Sequence, residues 1–164
     1  MILREMTQSD FPALCIYLKD EEVMHAFDHA YSDDEVREAL QIQFDRYAKY
    51  GFGKWAAILK ESGELIGQCG LSMQSCGDKE VLEIGYIFGK DHWHKGYAAE
   101  TAAACREYAF SELGADEVFS LIRDTNVASQ MVAARIGMSV RGEFVKHYYG
   151  VDMPHYIFSV KRTP

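Results

Sequence analysis

Gly85-Tyr86-Ile87-Phe88-Gly89-Lys90-Asp91-His92-Trp93-His94-Lys95-Gly96-Tyr97-Ala98-Ala99-Glu100 is the stretch on which the architecture turns. The run 81–88 leading into it is apolar and reads as a strand. The Ala-rich run 98–113 leaving it reads as a helix, with Ala102, Cys105, Ala109 and Leu113 on one face and Gly114 beyond its end. Between them, 91–97 is a polar turn rich in His and Gly. A helix start leaves backbone N–H groups unpaired and carries partial positive charge, so it suits an anion. Gly96 lets the backbone approach that anion closely, Ala98 and Ala99 keep side chains clear, and His92, His94 and Lys95 add donors. The bland account is that Gly96 permits a tight turn and the alanines pack on the sheet. Two other phosphate motifs fail: Gly85 and Gly89 are one residue too close for a P-loop, and no G-x-G-x-x-G is present.

Working outward, a strand is expected at 1–4. A helix follows, begun by Thr7 or Ser9, with Phe11, Leu14 and Leu18 at helical spacing; Ser9 as its cap would put Pro12 in the first turn. Ser32 with Glu35 forms a capping box for a second helix, with the stripe Val36, Leu40, Phe44 and Tyr47 and Gly51 at its end. Strands at 54–60 and 65–73 flank Glu61-Ser62-Gly63-Glu64 as a hairpin, and 81–88 completes a meander. Beyond the Ala-rich helix come a strand at 117–122, a helix at 126–136 closed by Gly137, and strands at 139–145 and 155–160. The order β-α-α-β-β-β-α-β-α-β-β implies an α/β (α+β) fold. Its sheet is mixed and mostly antiparallel, of about seven strands, with helices on both faces and one domain over 1–164.

Composition narrows the partners. In 164 residues, 17 Lys and Arg face 25 Asp and Glu, a net charge of −8, which disfavours nucleic acid and anionic membranes. Neither a secretory leader nor an apolar run near ~20 residues is seen, and Cys15, Cys69, Cys76 and Cys105 form no CxxC pair. A cytoplasmic protein with reduced thiols is expected. His25 with His29, or His92 with His94, lacks the partners of a zinc set, so no metal is expected.

The stretch Trp93-His94-Lys95-Gly96-Tyr97-Ala98-Ala99-Glu100 resembles the coenzyme A pyrophosphate loop of the GNAT N-acetyltransferases, [QR]-x-x-G-x-[GA], with Trp93 in place of Gln or Arg. Gly85-Tyr86, Gly96-Tyr97, Asn126, Ser129 and Arg135-Ile136-Gly137-Met138 are similar to the Rim-type branch, the ribosomal-protein N-terminal acetyltransferases, as is Glu22-Val23-Met24 through Tyr31-Ser32. The resemblance spans nearly the whole chain.

It implies acetyl-CoA as cosubstrate and a sheet splayed between 81–88 and 117–122. Main-chain groups of Tyr86, Ile87 and Phe88 would pair with the pantetheine arm, and the turn from Trp93 through His94, Lys95, Gly96, Tyr97 and Ala98 to Ala99 would hold the pyrophosphate. Asn126 would bond the arm or simply cap its helix. Glu83, a carboxylate interrupting an apolar strand, would be the base for a primary amine, unless it sits on the solvent face. The Tyr that many members use to protonate the leaving thiolate is Ala133 here, so Ser129 takes that role, with Tyr148 and Tyr149 as alternatives. Asp28, His29, Tyr31 and Tyr148 are acceptor-site candidates. The acids Asp20, Glu21, Glu22 and Asp28 would steer an amine cation inward, whereas Asp33, Asp34 and Glu35 favour a helix start. The reading is an N-acetyltransferase acting on a small-molecule or peptide amine, with a homodimer as a family expectation. A non-catalytic acetyl-CoA sensor is the alternative.

Overall fold

The computed structural model describes residues 1–27, 29–148 and 150–162; Asp28, Tyr149 and the side chain of Tyr148 lie outside the described residues. The strands are β1 (Ile2–Arg4), β2 (Lys54–Ile58), β3 (Leu65–Cys76), β4 (Lys79–Phe88), β5 (Glu117–Arg123), β6 (Ser139–Tyr148) and β7 (Val151–Lys161). The helices are α1 (Phe11–Leu18), α2 (Glu21–Met24), α3 (Asp33–Tyr50), α4 (Tyr97–Ser111) and α5 (Val127–Arg135). The strands form one seven-stranded sheet in the order β1-β2-β3-β4-β5-β7-β6. Its neighbours are antiparallel except β4 and β5, which run parallel because α4 carries the chain back across the sheet.

Period-two alternation sorts β3 onto two different faces. Cys69 and Leu71 join Ile84, Val118 and Ile122 in a core covered by α4 and α5. On α4 the buried face is made of Ala102, Cys105 and Ala109, small enough to seat the helix close to the strands. The opposite face of the sheet, with Ala56, Ile58 and Ile87, packs on Leu14 and Leu18 of α1 and Val36 and Leu40 of α3. Between those apolar contacts, the same face of β3 presents Gln68, Gly70, Ser72 and Gln74, a polar row that an apolar core would not tolerate unless it lined a cavity.

Four expectations change. Ser9 is not the cap of α1: Gln8–Asp10 form a 3-10 turn, and Asp10 immediately precedes the helix. Asp10 is buried, accepting from Arg4 at 2.7 and 2.8 Å and from the Thr7 N–H at 2.8 Å. Leu113 lies past the end of α4 and is exposed. The short α2 is an addition, capped by Asp20, whose carboxylate accepts from the Glu22 and Val23 N–H groups. β6 and β7 are longer than expected; Pro154 sits inside β7 opposite Val145, past the last register pair with β5, and its carbonyl still accepts from the Asp124 N–H at 3.0 Å. Among the described residues, no helix is long and apolar enough to cross a membrane.

Two carboxylates tie the first helices down. Asp10 is held below its ordinary range mainly by Arg4. Glu35 closes the expected box on Ser32 and also contacts His29 Nε2 at 2.7 Å, which together bring it down to about 2. A depressed carboxylate contributes stability above its unfolded pKa and loses it as pH falls. Thermal unfolding should therefore show Glu35→Gln flattening the loss of Tm between the ordinary 4.5 and about 2. Asp10→Ala should cost about 2 kcal/mol at neutral pH, since it strands charge-assisted hydrogen bonds.

Candidate active site

β4 and β5 share one register pair, Glu83 opposite Phe119. Past it, side chains take over from the ladder. Ser120 Oγ donates to the Ile84 carbonyl at 2.8 Å, and the Leu121 N–H donates to Glu83 Oε1 at 3.3 Å. The strands then part, and the Tyr86 hydroxyl donates across the opening to the Ser129 carbonyl of α5 at 2.9 Å.

Two adjoining cavities, about 290 and 380 Å³, lie along this opening and share Phe27, Tyr86, Ile87, Asn126 and Ser129 as common wall. The larger is bordered by the turn after β4. His94 (φ 61°) and Gly96 (φ 83°) are both left-handed there, and a side chain built on Gly96 would meet nothing within 4 Å. Such alternation points successive N–H groups at one spot. Among the described residues, the N–H groups from His94 to Ala99 donate to nothing; the first donor paired with this turn is Glu100, to the Gly96 carbonyl. His92 Nδ1 is buried without a hydrogen-bond partner. No carboxylate lines this cavity among the described residues, whereas His25, His92, His94 and Arg135 do. Unpaired donors, an orphaned ring nitrogen and a wall free of acids fit the diphosphate of a coenzyme.

Trp93 has a scaffolding part in this turn: its Nε1–H donates to the Phe88 carbonyl at 2.8 Å and its ring joins the core under the loop. Lys95 is exposed and outside the cavity lining. Lys90 ties the loop to α2 through Asp20 at 2.9 Å and Glu22 at 3.7 Å. Asp20 is thereby spent on a cap and an ion pair, and neither it, Glu21 nor Glu22 lines either cavity. None of the three faces the cleft directly, and Asp28 is outside the described residues.

The smaller cavity contains Glu83, Tyr31, Ser129 and Asn126. Glu83 faces it rather than bulk solvent, with Ser72 Oγ donating to its second oxygen at 3.4 Å. Asn126 Oδ1 accepts from the Ser129 N–H at 3.1 Å, so it caps α5 while lining both cavities. Ser129 thus has both main-chain groups engaged and stands on the shared wall. Ala133, the position to which the resemblance assigns a Tyr, is buried in the core and offers nothing to the cleft. His29 lies outside both linings, held by Glu35 and in ring contact with Tyr31 at 5.9 Å. Cys69 and Cys105 face each other across 3.6 Å inside the core, away from the cleft. Among the described residues, no group of three or more metal-ligating side chains converges.

Sequence reading missed Lys54 and His155. Lys54 enters the smaller cavity from β2, and His155 is a buried residue of β7 that lines it. Burial pulls His155 below its ordinary 6.5, and its Nδ1 faces the Met153 carbonyl at 2.8 Å.

The family model for the acetyltransferase (GNAT) domain matches residues 1–139. A Bacillus licheniformis protein bearing the name uncharacterized N-acetyltransferase p20 is 30% identical over 79% of this chain and 73% of its own length. A GNAT-family acetyltransferase from Bacillus anthracis superposes with a TM-score of 0.82 at 23% identity, covering 97% of this chain and 93% of that one. The Rim-type branch appears among the structural neighbours: a ribosomal-protein-alanine N-acetyltransferase from Brucella melitensis gives a TM-score of 0.76 at 16% identity, over 99% and 100% of the two chains.

The brace from Tyr86 to Ser129 is open to test. Tyr86→Phe keeps the ring and removes the bond, and denaturant unfolding should show a loss of about 1 kcal/mol.

Proposed function

The chain belongs to the GNAT acetyltransferase family, and we propose that it is an acetyl-CoA-dependent N-acetyltransferase that acts on a primary amine by direct attack. The observation that carries this reading is the continuity of the two cavities: a wall of unpaired N–H groups on one side runs into a wall holding Glu83 on the other. The turn from His94 to Ala99 would hold the pyrophosphate. The unpaired side of Tyr86, Ile87 and Phe88, where β5 has diverged, would receive the pantetheine arm as an added strand would. Bound there, acetyl-CoA supplies a thioester whose carbonyl carbon accepts the amine.

The chain's own groups then manage protons. A primary amine is mostly protonated near neutral pH, with reference pKa values of ~8 to ~10, so a base must free its lone pair. Glu83 takes that proton, directly or through a water, and the Leu121 N–H and Ser72 hydroxyl orient its carboxylate. As the C–N bond forms and the C–S bond breaks, the thiolate needs a proton or a strong donor, and the Ser129 hydroxyl on the shared wall supplies it. The acceptor is a small-molecule or peptide amine. The four free cysteines suit a reducing compartment, the cytoplasm.

An acetyl-CoA thiol-release assay over an amine panel tests the reading, and tight CoA binding with no amine turned over would mark a sensing module instead. Glu83→Gln should lower kcat by about a hundredfold or more with CoA affinity retained; an unchanged rate at saturating amine overturns the base assignment. Gly96→Val places a branched side chain at a left-handed φ in the turn and should weaken CoA binding at least about tenfold by calorimetry.

A further inference from the structure

Among the described residues, the wall of the smaller cavity carries the wrong sign for a polycation. In a protein of net charge −8, its described lining contains Arg46, Lys54, Arg123 and Lys146 against Glu83 alone. Lys54 is the informative one. Its main chain is clamped from both sides by α3: Gln43 Oε1 accepts its N–H at 2.9 Å, and the Tyr47 hydroxyl donates to its carbonyl. Gln43 in turn receives Arg46 at 3.4 Å, which brings the second cation to the same corner. Cross-strand register places Lys54 opposite Gly70, and Gly70 opposite Gly85. With no side chain at Gly85, the lysine lies flat across the sheet. A Cβ there would stand 2.8 Å from Lys54 Nζ and 3.8 Å from Glu83 Oε2. The ammonium and the carboxylate therefore flank one residue, yet no ion pair or hydrogen bond joins them, and Lys54 Nζ has no such partner among the described residues.

We propose that the acceptor is a small amine carrying its own anion, a carboxylate or a phosphate close to the nitrogen, with Lys54 and Arg46 holding the anion while Glu83 faces the amine. This rests on the acetyltransferase reading and adds the substrate class to it. A half-buried ammonium without a bonded counter-ion is costly unless something completes it. Burial and the neighbouring Arg46 and Lys146 pull the Lys54 pKa below its ordinary 10.5, against the opposing pull of Glu83. An anion arriving at Nζ replaces the lost water and offsets that repulsion. The short span between Lys54 and Glu83 matches a molecule such as an α-amino acid, whose amine and carboxylate sit on one carbon.

Matched acceptors read the anion directly: methionine against methionine amide, O-phosphoethanolamine against ethanolamine, and spermidine as the polycation. The amide's amine is the less basic of its pair and would react faster without recognition. The wild-type protein should nevertheless favour the anionic member by about tenfold or more in kcat/KM, carried mainly by KM. The carboxylate and phosphate pairs separate the two anion sources. Lys54→Met should bring the ratio of anionic to neutral partner to about one, and Arg46→Gln should lower it partway. Thermal shifts with each amine, with and without CoA, read the same discrimination without turnover. A Tm rise for the anionic members only, lost in Lys54→Met, supports the proposal even if acetyl transfer fails. Preference for the amide or for spermidine overturns it while leaving the acetyltransferase reading intact.

Discussion

A parallel strand pair that ends after a single register pair is the constraint from which the functional geometry follows. β4 and β5 must diverge beyond Glu83 and Phe119, and a sheet that opens leaves backbone groups to be satisfied. Ser120 and Glu83 satisfy two of them at the apex, with a hydroxyl on the Ile84 carbonyl and a carboxylate on the Leu121 N–H. The residue at the point of divergence is thus also the one proposed to handle a proton. Structural and chemical demands meet on Glu83, and the polar row on β3 faces the space they create.

The charge distribution follows a similar economy. Acids on α2 and at the start of α3 are spent on caps and ion pairs: Asp20 with Lys90, Asp33 with Lys19, Glu35 with Ser32 and His29. What remains facing the two cavities, among the described residues, is one carboxylate in the smaller and none in the larger. A net negative protein therefore surrounds a cleft that, among the described residues, sets four cations against Glu83 in the smaller cavity and open N–H groups beside the larger. Bulk charge and site charge have opposite signs, and only the second bears on what the cleft holds.

The legible parts of the sequence were those written locally. The capping box at Ser32 and Glu35 and, apart from Leu113, the Ala102, Cys105 and Ala109 face of α4 depend on residues a turn apart and are found as read, and Gly96 stands at the start of α4 with a left-handed φ. The branch-level likeness carried the divergence of two strands, 81–88 and 117–122. Lys54 was invisible because its place depends on register across three strands and on two glycines that happen to align with it. Trp93 read as a substitution in a binding loop, but its ring nitrogen is committed to the Phe88 carbonyl, a contact that spacing does not encode.

The shared wall has a thermodynamic consequence. Tyr86 and Ser129 belong to both cavities and are bonded to each other, so a ligand that orders this pair from one side prepares it for a ligand on the other. Whatever free energy couples the two occupants is the same read from either direction, so a donor that tightens the grip on the acceptor is itself held more tightly by it. Any such coupling would run through the shared wall, of which the bonded Tyr86 hydroxyl and Ser129 carbonyl are one part, and the order of arrival would remain a matter of kinetics.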